Sequence, residues 1–311
     1  MIGKLLIDGV DAFLEYGIFV ERYGYQLLLK APTFKNTDTT EWPEYDGVEV
    51  DLINPILDGR TLSIPFCITR RDSVFELYDA LSDGIYHDFY FPEIDKSYML
   101  RLVGSSQLSF NVNLGNITLN FADDFPEISE VLPFTESVIK QDEFEIDNIN
   151  LSKYGISTLK GTNDNINKIA DVRENLKINT NAFEGVEYDF GHEEETLQVR
   201  YRPKDATLKL FIKAASITDF WKRYNSFFWT LTRPGLRQLY QTNTNTEYEC
   251  YYNNNSIVRF DILKGKVWCE FNVTLTFTDF YPRIDLPFLA TEDGSLVTTE
   301  DGIYNIPIRV R

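Results

Sequence analysis

Leu119-Asn-Phe-Ala-Asp-Asp-Phe-Pro-Glu-Ile128 occurs a second time as Leu275-Thr-Phe-Thr-Asp-Phe-Tyr-Pro-Arg-Ile284, and the two align without a gap. Leu, Phe, Asp, Pro and Ile are identical at matching places, and an aromatic residue precedes the proline in both. Each copy alternates apolar and polar side chains, as a strand with one buried face requires. Each is then stopped by an Asp-aromatic-Pro break, because proline cannot donate to a ladder. The pair predicts the ends of two tandem copies of one domain.

Upstream landmarks recur in the same order. Ile7-Asp-Gly-Val-Asp with Tyr16-Gly-Ile is echoed by Ile146-Asp-Asn-Ile-Asn with Tyr154-Gly-Ile. Asp46-Gly-Val-Glu-Val-Asp-Leu52 is echoed by Glu184-Gly-Val-Glu-Tyr-Asp-Phe190, and Thr61–Phe66 by Thr196–Tyr201. A helix is predicted over 72–84, with Val74, Leu77, Tyr78 and Leu81 on one face, and another from Ser216 stands in the same place. Self-similarity in one order along the chain is the signature of duplication. The offset grows from 139 residues at Ile7/Ile146 to 156 at Leu119/Leu275. The extra residues are expected in loops around Gln241–Asn245 and Asn253–Asn255.

The predicted fold class is mainly β (α+β): two tandem β-sandwich or split-barrel domains, each with one helix, plus a C-terminal β-ribbon. The domains are read as 1–128 and 146–285, the linker as 129–145 and the ribbon as 286–311. Residues 31–46, with Pro32 and Pro43, read as an exposed loop. The strands at 46–52 and 61–68 read as a hairpin closed by Asp58-Gly59, with Pro65 at an edge or bulge. Thr-Glu-Asp-Gly at 291–294 and again at 299–302 supplies the ribbon's turns. So short a ribbon cannot bury a core alone, so a contact with a neighbouring subunit is expected of it.

The 311 residues are 43% hydrophobic and 14% aromatic, enough for two packed cores and rich in strand formers. A net charge of −18 argues against gripping nucleic acid through phosphate neutralisation. It suits a soluble acidic surface, or a conduit that DNA slides through. Cys67, Cys250 and Cys269 are an odd count without zinc or CxxC spacing and read as reduced thiols. A facing of Cys250 and Cys269 across paired strands is the weaker alternative. The first residues do not read as a signal peptide, because Asp8 interrupts a short apolar run, and no stretch approaches a membrane span.

Little chemistry is legible. Asp123-Asp124 and Glu193–Glu195 lack the alternating oxygen pattern of a calcium loop and read as solvated turn carboxylates. His87 and His192 lie at non-matching places and read as surface or loop histidines. Trp221, Trp229, Phe227 and Phe228 have the makings of a sugar-stacking platform, but helix-face core packing is the preferred reading. No catalytic, cofactor or metal site is expected.

The opening strand with Asp-Gly, then Tyr-Gly-Ile, then Asp-Gly-Val before an alternating strand, resembles the N-terminal domain of bacteriophage distal tail (Dit) proteins. The single helix after a strand pair and the closing Leu-x-Phe-x-Asp-x-aromatic-Pro are similar too. The resemblance covers about 1–128 and, more loosely, 146–284. It implies a structural protein of a phage or prophage tail, a ring-forming adaptor around the DNA channel between tail tube and tail tip. The implied partners are other copies of the chain, the tail tube, the tape measure and baseplate or tip proteins, with DNA passing through unbound. The implied location is the virion tail, after folding in the host cytoplasm. Proteins of this family usually carry one such domain. Two per chain allow a trimer with pseudo-sixfold symmetry, or a hexamer. Candidate assembly residues are Trp42 and Tyr45 in the 31–46 loop, and Thr291, Glu292, Asp293, Gly294, Thr299, Glu300, Asp301 and Gly302 in the ribbon. The alternative reading is a tandem β-sandwich that binds carbohydrate or another surface. A hydrolase whose acidic residues converge only in the fold is the third.

Overall fold

The computed structural model describes residues 2–22, 24–42, 46–106, 108–110, 114–168 and 201–279, and the backbone of 283–284. The echoes at 184–190 and 196–200, His192, Glu193–Glu195, Tyr45 and the whole 286–311 ribbon lie outside them.

The chain is mainly β, in two curled antiparallel sheets. The first half has β1 (Leu6–Ile7), β2 (Val10–Asp11), α1 (Ala12–Tyr16), β3 (Ile18–Val20), β4 (Asp38–Thr40), β5 (Glu49–Asp51) and β6 (Arg60–Ile68). It continues with α2 (Ser73–Leu81), β7 (His87–Phe91), β8 (Lys96–Ser105), β9 (Ser109–Phe110) and β10 (Gly115–Asp123). The second half has β11 (Phe144–Ile146), β12 (Ile149–Asn150), β13 (Ile156–Thr158), α3 (Thr162–Asn167), β14 (Lys204–Ala214) and α4 (Ile217–Thr232). It ends with β15 (Arg237–Gln241), β16 (Thr246–Leu263), β17 (Lys266–Phe277) and β18 (Arg283–Ile284).

The sheets run β2-β1-β7-β8-β10-β6-β3 and β12-β11-β15-β16-β17-β14-β13, which is the same order once the strands are matched in sequence. Local chemistry repeats with it. Asp8 and Gly9, and again Asp147 and Asn148, take the left-handed conformation a two-residue hairpin turn needs. Asp11 and Asn150 cap the next helical turn with their side chains, and Gly17 and Gly155 end it at φ 67°. Tyr90 donates to Asp95 at 2.9 Å across one four-residue turn, and Tyr240 to Asn245 at 2.7 Å across the other. Even the β-bulge recurs. Val103 and Asn253 are each left unpaired, sixteen residues after the first residue of β7 and of β15.

The opening motif behaves as its alternation requires: Leu119 and Phe121, and Leu275 and Phe277, all point into the core. Its pairing differs between the halves. Leu119 lies opposite Ile64, four residues before the partner of Ile18, whereas Leu275 lies opposite Ala206, six before the partner of Ile156. A slide of two residues keeps the same side chains inward, so the core tolerates it.

Several expectations are corrected. The strand at 61–68 pairs with β3 and β10, not with 46–52, which forms its own two-stranded ribbon with β4. Pro65 accepts from Glu21 N–H at 2.8 Å, so its missing donor faces the chain just past β3, where no ladder bond is lost. The second-half counterpart of β6 is β14, not 196–201, because β14 pairs with β13 and β17. The turns at 92–95 and 242–245 are equal in length, and Asn253 is the shared bulge, so neither expected loop holds the extra residues. Some of them lie in α4, with 16 residues against 9 in α2, and in the 18-residue β16. Cys250 and Cys269 are free and sit on adjacent strands, with the partner of Cys250 (Phe277) eight residues along from Cys269.

Helix α2 buries Val74, Leu77 and Leu81, as its spacing predicts, while Tyr78 stays 39% exposed. Helix α4 buries Phe220, Tyr224, Phe227, Phe228 and Leu231, too broad an arc for one sheet to cover. The rest of the cover comes from the first half.

Candidate functional site

The segment from Leu28 to Leu52 runs from the first half onto the second. Its base is buried: Leu28, Leu29 and Ala31 are 1%, 1% and 5% exposed. The phenol of Tyr224 on α4 donates to the Leu29 carbonyl. Ala31 N–H donates to Asn255 Oδ1 at 3.0 Å, and Tyr252 donates to the same oxygen at 3.2 Å. Asn255 Nδ2 in turn donates to the Tyr224 phenol oxygen at 3.0 Å. Asn255, only 2% exposed, therefore satisfies groups from three segments in a buried junction. Burial pushes the Tyr224 phenol well above its ordinary range, so it remains a donor.

Farther along, Phe34 meets the Tyr252 ring edge-on at 6.2 Å. Gly47 N–H donates to Tyr201 O at 3.0 Å, Val48 N–H to Thr278 O at 2.9 Å, and Asp46 accepts from Tyr201 N–H at 2.7 Å. Gly235 N–H then donates to Leu52 O at 2.7 Å. The expectation of an exposed loop at 31–46 holds for Lys35, Asn36 and Asp38–Trp42, but Ala31, Phe34 and Asp46 are fastened to the second half, so the segment is a strap between the halves. Trp42 is 49% exposed, with its indole N–H on Glu49 at 3.1 Å. Trp42 is the one candidate assembly residue among the described residues; Tyr45 and the eight ribbon residues lie outside them.

A second contact joins the halves beside the strap. The Trp221 indole donates to Ile94 O at 2.6 Å, and the Lys96 ammonium lies 5.3 Å from the Trp221 ring centroid. Trp221 and Lys96 border a cavity of 560 Å³ with Arg60, Tyr98 and Phe228. Burial and neighbouring Arg60 both lower the Lys96 pKa. The linker also lies against the second half, with Phe134 N–H on Lys153 O at 2.9 Å and Lys222 over the Phe134 ring at 4.3 Å.

The isolated acidic and imidazole residues have structural partners. Asp123 is 8% exposed and pairs with Arg60 at 2.8 Å, and Asp124 takes Arg101 at 2.9 Å and the Tyr86 hydroxyl at 2.6 Å. They are therefore matched one by one to cations rather than solvated together. His87 is not a surface histidine: it is 7% exposed at the head of β7, with Asp8 2.7 Å from Nδ1 and Asp83 3.2 Å from Nε2. Among the described residues no group of three His, Cys, Asp or Glu side chains could hold a metal. Phe227 and Phe228 are each 1% exposed, the core use expected of them. Among the described residues, no helix is long and apolar enough to cross a membrane.

The sequence signal missed was Asn255. Its triplet Asn253-Asn-Asn reads as loop, but the register puts Asn255 inside a ladder with its amide facing the strap.

No family model matches the chain, and neither does any curated protein. Among solved structures it is similar to the SPP1 Dit (gp 19.1) protein, described as a paradigm of the hub adsorption apparatus in phages infecting Gram-positive bacteria. The identity is 11% and the TM-score 0.31, over 88% of this chain and 97% of that one.

Proposed function

We propose that the chain is a structural protein of a phage or prophage tail, a ring-forming adaptor around the DNA channel. Its two halves are tandem copies of one Dit-like domain, 1–128 and 146–285. The observation that carries the reading is the matched strand order of the two sheets, with the same turns, cap glycines and bulge, and a strap fastening one to the other. Repeated domains held in a fixed relation within one chain are building blocks for pseudo-symmetric closure. The work of such a protein is geometric, and no catalysis is assigned to it. Its partners are other copies of itself and the tail tube, tape measure and baseplate or tip proteins. The net charge of −18 lets DNA pass without being held.

Light scattering over a concentration series, with electron microscopy of the same sample, tests this. Three or six copies around a central opening are expected. A monomer at every concentration, without rings in micrographs, overturns the ring reading. The second reading, a carbohydrate-binding module, is disfavoured by the burial of Phe227 and Phe228.

A further inference from the structure

Counting back from His87 and Arg237, the first residues of β7 and β15, Val74, Leu77 and Leu81 of α2 match Tyr224, Phe227 and Leu231 of α4. All six are buried. On the outer side, Phe75 and Tyr78 match Asn225 and Phe228. That side of α4 is covered: Phe228 is 1% exposed, and with Asn225 it borders the cavity closed by Leu28–Pro32 and Lys96–Met99 of the first half. The same side of α2 is bare. Phe75 is 59% exposed and Tyr78 39%, with Ile85 close in sequence at 57%.

The covering surface also has a counterpart. The turn containing Ile94 corresponds to the turn containing Thr244, which is exposed. The 3-10 turn Gly24–Leu29, which leads into Lys30, corresponds to α3, Thr162–Asn167, which leads into exposed Lys168. Each half thus has two faces, a helix side that receives and a turn side that covers. Among the described residues, only one of each is used within the chain: the first half's turns on the second half's helix. The unused pair, the outer side of α2 and the turns at Ile166–Lys168 and Thr242–Asn245, stand at the places of the used pair, with Arg71 and Val74 where α4 has Trp221 and Tyr224. Glu76 and Asp79 flank the apolar spot on α2, and Lys168 lies on the opposing surface, which also carries Asp164 on α3 and Glu143 bonded to Asn243.

We infer that the outer face of α2, centred on Phe75 and Tyr78, receives the second half of another copy of this chain, as α4 receives the first half of its own. The contact is heterologous, so it propagates head to tail and closes into a ring if the rotation permits. This deepens the ring reading and rests on it by naming the surface through which copies join.

The experiment uses the full chain with two sets of changes. Phe75→Glu with Tyr78→Glu spoils the receiving face, and Thr244→Arg with Lys168→Glu spoils the covering face. All four side chains are exposed, and circular dichroism with thermal unfolding checks that each variant stays folded. Sedimentation of each variant alone is expected to give monomer where the wild type gives a larger species. An equal mixture of the two is expected to stop at a dimer, because each contributes one intact face and no further addition is possible. A folded α2-face variant that keeps the wild-type mass, or a mixture that stays monomeric, overturns this contact while leaving ring formation through other surfaces standing. A wild type that is monomeric at all concentrations overturns both.

Discussion

His87 Nδ1 lies 2.7 Å from Asp8 Oδ2 at the head of β7, and Arg237 Nη1 lies 2.7 Å from Asp147 Oδ2 at the head of β15. The two basic groups hold the same corner of their sheets. Each aspartate also accepts a strand N–H at 2.9 Å, from Asp88 and from Gln238. One corner carries a permanent cation and the other a titratable one.

That difference makes the first half sensitive to pH. Partial burial works against a charged imidazole, but the hydrogen bonds to Asp8 and Asp83 outweigh it and raise the His87 pKa above 6.5. A raised folded pKa means stabilisation fully present below the unfolded value and lost as pH rises through the folded one. The advantage of the wild type over His87→Gln in urea unfolding should therefore be larger at pH 5.5 than at pH 8.5. An advantage independent of pH would show that the imidazole has the same pKa in the folded and the unfolded chain.

Asn255→Ala should destabilise the junction strongly. The change strands Ala31 N–H and the Tyr252 hydroxyl in a buried site, each of which costs on the order of 1–3 kcal/mol when unpaired. Guanidinium unfolding should show a loss of about 2–4 kcal/mol. A loss below about 0.5 kcal/mol would mean water or another group replaces the amide.

Gly47→Ala should release the strap. Gly47 has φ 73°, and a Cβ there would overlap the Thr278 carbonyl oxygen. The expected cost is more than about 1 kcal/mol and falls locally, because the strap holds no sheet of either half together. Limited proteolysis should then cut within 36–42 much faster than in the wild type, with the two β-sheets still intact by circular dichroism.

Gly17→Ala and Gly155→Ala should cost similar amounts, about 1–2 kcal/mol each, measured by chemical unfolding. Both glycines end a helical turn at φ 67°, and both lie under an arginine, Arg70 or Arg223. A large difference between the two variants would show that the two corners, though alike in backbone, are not alike in packing.

Residues a few positions apart decided what was legible beforehand. Turn glycines, side-chain caps, the alternation in Leu119–Asp123 and the face of α2 all follow from backbone sterics and side-chain period, which short stretches carry in full. Partnership across the chain is different. Ala31 and Asn255 are 224 residues apart, and Tyr224 and Leu29 are 195 apart. Whether 31–46 is a free loop or a strap, whether His87 is wet or buried, and which strand β5 joins depend on surfaces that only the folded chain brings together. Two similar β-rich halves with their turns and caps follow from the order of the residues. The tertiary structure alone decided that the halves lock through Asn255 and Tyr224, leaving the outer side of α2 uncovered, because burial depends on what the rest of the chain places against a face.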